Sequence, residues 1–193
     1  MASNTNSPYG LKALRHINNG LPQINDYLIY TGDTNNIYTG DPVIVNGSHA
    51  GYITQGVGNE SAGAILGVFV GCEYFLPGNP VKQFSKYWPA STTVASGTQV
   101  IAKVIDDPGV IFQVQVDSTA ITQGFFNQNY NLNTVATSDA VSSASYGISS
   151  ANLAGGTANS GYGYRALRLA ANGTVLGAYA DVEVIIANHA LKG

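Results

Sequence analysis

The sequence predicts an all-β fold: an antiparallel β-sandwich or jelly-roll-like barrel with long loops, at most one short helix and an extended N-terminal arm. Short apolar runs rich in β-branched and aromatic residues recur at roughly 8–12-residue spacing. Gly, Asn and Asp punctuate them densely. No strand pattern alternates with a helical one, as a βαβ fold would require. In a chain of 193 residues about 70% of the unfolded surface is buried on folding, enough for a self-sufficient core. No repeat or long linker divides it. The expected organisation is an arm at residues 1–10 and one β-sandwich domain at 11–193.

Residues 1–10 are polar and contain Pro8, so they have little to bury and read as a segment that orders on a partner. Asp26–Tyr30 and Pro42–Val45 are strand-like runs, and Asn46-Gly47 after the second predicts a hairpin over 42–54. Ala64–Val70 is too continuous for a half-wet strand and, with Gly67 inside, a poor helix; it reads as a strand covered on both faces. Val100–Ile105 and Val110–Val116 flank Asp106-Asp-Pro-Gly109, which predicts a tight antiparallel connection with Gly109 available for positive φ. Phe112, Val114 and Val116 then face the core, and Gln113 and Gln115 face away. Residues 117–160 turn to Asn, Ser, Ala, Gly and Thr, predicting long loops with at most one short helix near 137–144. Tyr164–Leu169, Asn172-Gly173 and Tyr179–Ile186 predict a terminal hairpin with Val182, Val184 and Ile186 inward, opposite Glu183.

Eight Lys and Arg against eleven Asp and Glu give a net charge of −3, and only 10% of residues are charged where about 25% is usual. A basic nucleic-acid footprint is excluded. The single cysteine, Cys72, excludes an intrachain disulfide and an all-cysteine metal cluster. The start, MASNTNSPYG, has neither a basic n-region nor an apolar h-region, and no uninterrupted apolar run is long enough to span a bilayer; neither secretion by an N-terminal signal nor membrane insertion is expected.

Candidate chemistry is sparse. Asp106 and Asp107 are adjacent carboxylates, but a glycosidase needs two acids facing each other across a cleft, and turn chemistry explains the pair. Asp33, Asn35 and Asn36 resemble part of a calcium loop without its sixth-position glycine or terminal glutamate. His16, His49 and His189 have no ligand-spaced Cys or Glu beside them. Cys72 follows the apolar run, where a thiol behaves as a small hydrophobe. No G-x-S-x-G elbow occurs, and Gly161-Tyr-Gly-Tyr164 precedes a strand, so it is no phosphate cradle. No catalytic residue, cofactor or metal ligand is therefore assigned. Three Asn-x-Ser/Thr triplets, at Asn46, Asn59 and Asn172, read as turn composition. The twelve tyrosines and Trp88 fit either a sugar-stacking platform or anchors between subunits.

Taken together and in order, Asn6–Ile17, Tyr38–Val43, Gly67–Tyr74, Asp107–Gln115, and Asp181–Ile186 with His189 resemble head decoration, or cement, proteins of tailed bacteriophages. The residues from Thr119 to Ser160 have no counterpart in that resemblance. The resemblance implies a jelly-roll-like protein without enzymatic activity, made in the host cytoplasm and carried on the outer surface of the virion. There it would bind the major capsid protein of the same phage, as a homo-oligomer, a dimer or trimer, and stabilise contacts between capsid subunits. Tyr9, Leu11, Leu14, Ile17 and Trp88 are the candidate capsid or subunit contacts. The alternative is a carbohydrate-binding jelly-roll module displayed on the virion, which expects Trp88 or several tyrosines in one groove with convergent Asn and Asp side chains.

Overall fold

The computed structural model describes residues 4–56, 58, 64–133, 146–171 and 174–192 and is all-β. Its strands are β1 (Lys12–His16), β2 (Asn25–Ile29), β3 (Ile37–Tyr38), β4 (Pro42–Val45), β5 (Tyr52–Gln55), β6 (Ile65–Phe75), β7 (Lys82–Ser85), β8 (Tyr87–Trp88), β9 (Val100–Ile105), β10 (Val110–Gln115), β11 (Asn129–Tyr130), β12 (Tyr164–Leu169) and β13 (Asp181–Ile186). One 3₁₀ turn covers Gln123–Phe125. The helix weighed near 137–144 and the Asn172-Gly173 turn lie outside the described residues.

One sheet runs β1-β10-β13-β12-β11, and β3 pairs with β8 alone. The other runs β4-β5-β2-β9-β6-β7, and because β4 also pairs with β6, five of its strands close into a small barrel. Every pair is antiparallel except β2 with β5. Inside the barrel sit Ile29, Val43, Ile53, Leu66, Phe69, Cys72, Val100, Ala102 and Val104, joined by Ile37 and Trp88 from the β3–β8 ladder. The second hydrophobic cluster lies against the other sheet, around Phe112, Val114, Tyr164, Val182, Val184 and Ile186.

The strand expected to be covered on both faces is β6, and it serves both clusters at once. Leu66, Phe69 and Cys72 enter the barrel, while Ile65 and Val68 join the second cluster. Strict alternation cannot produce that pattern. The register slips opposite Val43/Ile44 and again between Phe69 and Gly71, and each bulge flips the parity of the residues that follow. Gly67 is required at the first slip, because a Cβ there would overlap the Ile105 carbonyl oxygen.

The hairpin over 42–54 forms as β4 and β5, but with a wider turn than Asn46-Gly47 alone would give. Asn46 Oδ1 accepts the N–H groups of Ser48 and His49, and Asn46 N donates to Tyr52 O. The side chain has captured the following backbone, so the loop runs from 46 to 51.

The Asp106–Gly109 connection is tight, with Val110 N donating to Asp107 O, but it does not join a hairpin. β9 pairs with β2 and β6, whereas β10 pairs with β1 and β13. The turn carries the chain from one sheet to the other. Gly109 does not adopt positive φ; it is glycine because a Cβ there would collide with the His16 imidazole. The alternation read in β10 is present, with Phe112, Val114 and Val116 at 1%, 0% and 0% exposure. β12 and β13 pair as expected, and Val182, Val184 and Ile186 are buried.

Gln113 and Gln115 do not face open solvent. The N-terminal segment is extended, but it lies on its own sheet rather than awaiting a partner. Gln115 Nε2 donates to Thr5 O, Ser7 N donates to Gln115 Oε1, and Gln113 Nε2 donates to Tyr9 Oη, which in turn donates to Asp181 Oδ1. Asn4 Nδ2 reaches the carbonyls of Val175 and Ala178. The polar composition that suggested a free arm is the composition needed to pair with a polar sheet face. Beside it, Glu183 is buried between Arg15 and Arg168 at 2.7 and 2.9 Å. Burial alone would raise its carboxyl pKa, but the hydrogen bonds and charges of the two guanidiniums outweigh it and hold the value below the usual range.

Deleting residues 1–10 is therefore expected to destabilise the isolated protein by about 2–4 kcal/mol, since several partly buried hydrogen bonds at about 1 kcal/mol each are lost and polar groups are left unpaired. Urea unfolding of the full-length and shortened chains measures this. Coincident transitions would show that the segment contributes nothing to the fold.

Candidate interaction surface

The five expected contact residues separate into core and surface. Leu11 is 3% exposed and belongs to the second hydrophobic cluster. Trp88 is fully buried in the barrel cluster, its ring edge-on to Tyr74 at 5.4 Å. As placed, neither side chain presents surface to a partner, and the sugar-platform reading loses its tryptophan. Leu11 is covered by the second hydrophobic cluster and Trp88 by the barrel cluster. Tyr9 is half-buried and occupied by Gln113 and Asp181; burial, first, and the Asp181 charge push its phenol pKa far up.

Leu14 and Ile17 remain at the surface, and the structure extends the row they start. Leu21 is 89% exposed, Ile17 61%, Ile24 54% and Leu14 36%. These four lie in one stretch of eleven residues spanning the end of β1 and the loop into β2. The apolar spacing of Leu11, Leu14 and Ile17 continues through Leu21 and Ile24, a signal the sequence reading stopped short of using.

This loop has a fixed shape. His16 N donates to Gly20 O, Asn19 N to His16 O, and Ile17 N to Gly109 O across to the β9–β10 turn. Asn19 takes φ 61°, a conformation asparagine tolerates. The His16 ring accepts Asn18 N at Nδ1 and sits 3.3 Å from Asp107 Oδ1 through Nε2. The sequence therefore sets a pinned turn at the sheet junction and hangs four large aliphatic side chains on and beside it. A turn fixed in this way has little conformational freedom left to lose on binding.

The groups considered for catalysis are separately occupied. Asp106, 6% exposed, accepts Asn25 Nδ2 at 2.8 Å and Tyr27 Oη at 2.6 Å, so it is more than a turn residue. Asp107 caps Gly109 N. Burial pushes the Cys72 thiol up to about 12, which keeps it protonated and unreactive. His189 is 2% exposed, accepts Leu191 N at Nδ1, and has its pKa lowered, chiefly by burial. Among the described residues no group of three or more His, Cys, Asp or Glu is placed to hold a metal ion. Comparison with protein-family models, curated proteins and solved structures finds no match to this chain.

Among the described residues, Asp41 is a carboxyl whose burial raises its pKa strongly. It is fully buried, and desolvation raises its pKa from 3.8 to about 6 despite hydrogen bonds that favour the charged form, among them those from Tyr38 N and Gln55 Nε2. A folded pKa above the unfolded one means the native state holds the proton more tightly. The resulting stabilisation is complete below about pH 4 and is lost as the pH rises through about 6. Two pKa units correspond to about 3 kcal/mol. Asp41→Asn, which mimics the protonated acid, should therefore gain on the parent by about 3 kcal/mol between pH 4 and pH 7. Paired denaturant titrations at the two pH values measure it. A pH-independent difference would show that Asp41 is not raised.

Proposed function

We propose that this chain is a structural virion protein that attaches to the outer surface of a tailed-phage capsid and stabilises contacts between major capsid protein subunits. The observation that carries the reading is the row of exposed aliphatic side chains from Leu14 to Ile24, on and beside the turn pinned at residues 16–20. Four large aliphatic side chains held in water forfeit up to roughly 1.5–3 kcal/mol each of burial, and their concentration in one stretch of eleven residues supports a protein contact there. The ordered blocks that resemble head decoration proteins point to the same partner. A surface with few charges supports it physically, because flat polar faces then meet without stranding unpaired ions.

The mechanism is mass action on the assembled shell. A protein that bridges two subunits binds the intact lattice and not the separated one. It therefore stabilises the lattice by RT ln(1 + [L]/Kd), about 2.7 kcal/mol per site at a concentration one hundred times Kd. Closed symmetry makes a dimer or trimer the natural presenting unit, because repeated loops would grip repeated subunits together.

An Ile17→Asp/Leu21→Asp variant tests this. Both side chains already face water, so its unfolding should stay within about 1 kcal/mol of the parent. Its attachment to undecorated shells should weaken at least about tenfold, or 1.4 kcal/mol, and the protection of shells against heat should fall with it. Full occupancy and full protection by the variant would overturn the assignment of this loop. Failure of the parent protein to associate with any shell would overturn the function.

A further inference from the structure

We propose that the cleft between the β2–β3 loop and the β4–β5 turn is a binding site for a neutral saccharide, separate from the apolar loop. The cleft encloses about 340 Å³ and is lined by Tyr30, Asp33, Asn35, Asn46, His49 and Thr54, among others. That volume falls in the lower part of the roughly 300–1,000 Å³ range of small-molecule sites.

Its floor holds a carboxylate that the fold leaves incomplete. Asp33 is 6% exposed. Oδ1 accepts Asn35 N at 2.9 Å, while Oδ2 is buried and accepts nothing from the described residues. A buried polar atom without a partner is costly, more so when charged. Nothing in local turn geometry demands that cost, since Oδ1 alone completes the turn. Asp33 lines the cleft, so Oδ2 is the acceptor that a hydroxyl donor bound there would complete. The backbone itself is fixed: Asp33 N donates to Tyr30 O, Ser91 N to Asp33 O, and Ala90 N to Asn36 Oδ1.

The walls supply the rest of a sugar site. The His49 ring lies flat on Tyr30, centroids 3.7 Å apart and planes 15° from parallel, and Tyr52 braces Tyr30 edge-on at 5.8 Å. A flat, braced ring pair beside a hydroxyl acceptor is the surface a pyranose face can pack on. Asn46 spends its carbonyl oxygen on Ser48 N and His49 N, which turns its amide into a fixed donor group. Asn35 Nδ2 is tied to Thr54 Oγ1 at 3.3 Å.

The alternatives fit less well. Among the described residues no Lys or Arg lines the cleft, which disfavours a phosphorylated or acidic ligand. Asp33 is the one carboxylate among the described residues that line it, too few anionic ligands for a tight calcium site. The lining is too polar for an apolar guest.

The test titrates the intact protein with methyl glycosides of glucose, galactose, mannose and N-acetylglucosamine, and screens it on an array of neutral oligosaccharides. Saturable binding is expected for at least one of them, in the presence of EDTA. His49→Ala, a part-exposed position, should keep the parent's melting profile and weaken binding at least about tenfold. Asp33→Asn should weaken it similarly; if that variant is too unstable to use, His49→Ala with Asn35→Ala replaces it. The Ile17→Asp/Leu21→Asp variant should bind the sugar unchanged, so loss of shell attachment and loss of sugar binding report separately. No binding to any probe, binding indifferent to His49→Ala, or a response to calcium chloride without one to sugar would each overturn the proposal.

Discussion

The structure depends on one strand having to bury both of its faces. β6 is the wall between two hydrophobic clusters, so each of its side chains must be apolar or have a dedicated partner. That constraint explains the run Ile-Leu-Gly-Val-Phe-Val, the two bulges that hand side chains from one cluster to the other, and the glycine at the closest backbone approach. It also explains the company β6 keeps. Toward its C-terminal end the strand carries Glu73, which is met by Lys82 at 3.1 Å and Lys103 at 3.9 Å, so that a buried carboxylate is not left alone.

What was legible in the sequence follows from which forces act locally. The existence and facing of β10 and β13 could be read because alternation is a property of one strand against one core, and Val114 and Val184 obey it without exception. The pairing of β9 with β10 could not be read, because a turn motif specifies how the chain reverses and not which neighbours the strands then choose. Val100–Ile105 turns Val100, Ala102 and Val104 into the closed barrel and gives Ile105 to the other cluster; β10, with its glutamines, went to the sheet whose outer face the N-terminal segment covers. The segment itself was misread for a related reason. Low hydrophobicity argues against burying a chain in a core, but not against pairing it with a polar sheet face.

The surface positions show the same division. Leu14 and Ile17 were accessible to sequence reasoning as apolar residues just past a polar start, and they are exposed. Leu11 and Trp88 have the same chemistry and are buried, because burial depends on which sheet edge happens to lie above them. The cleft at Asp33 was half visible: Asp33, Asn35 and Asn36 suggested ligand chemistry from one loop, while His49 and Thr54 arrive from a separate hairpin through tertiary contact alone. A site assembled from two loops leaves only half its signature in either.

Strand β2 gives the two proposed surfaces a geometric relation. It begins at Asn25, directly after the apolar loop that ends at Ile24, and finishes at Ile29, directly before Tyr30 of the cleft. Five extended residues span about 17 Å at about 3.3 Å each, so the loop and the cleft lie at opposite ends of the same strand. In the barrel wall β2 is held by β5 on one side and β9 on the other, which makes the separation rigid rather than adjustable. A chain seated on a shell through the Leu14–Ile24 end would then hold the Tyr30–His49 end away from that shell. The closed barrel would then be a rigid spacer between the two proposed surfaces, so that occupying one need not disturb the other. Many seated copies would present many such clefts, and weak sugar contacts at each would sum to avidity over the particle.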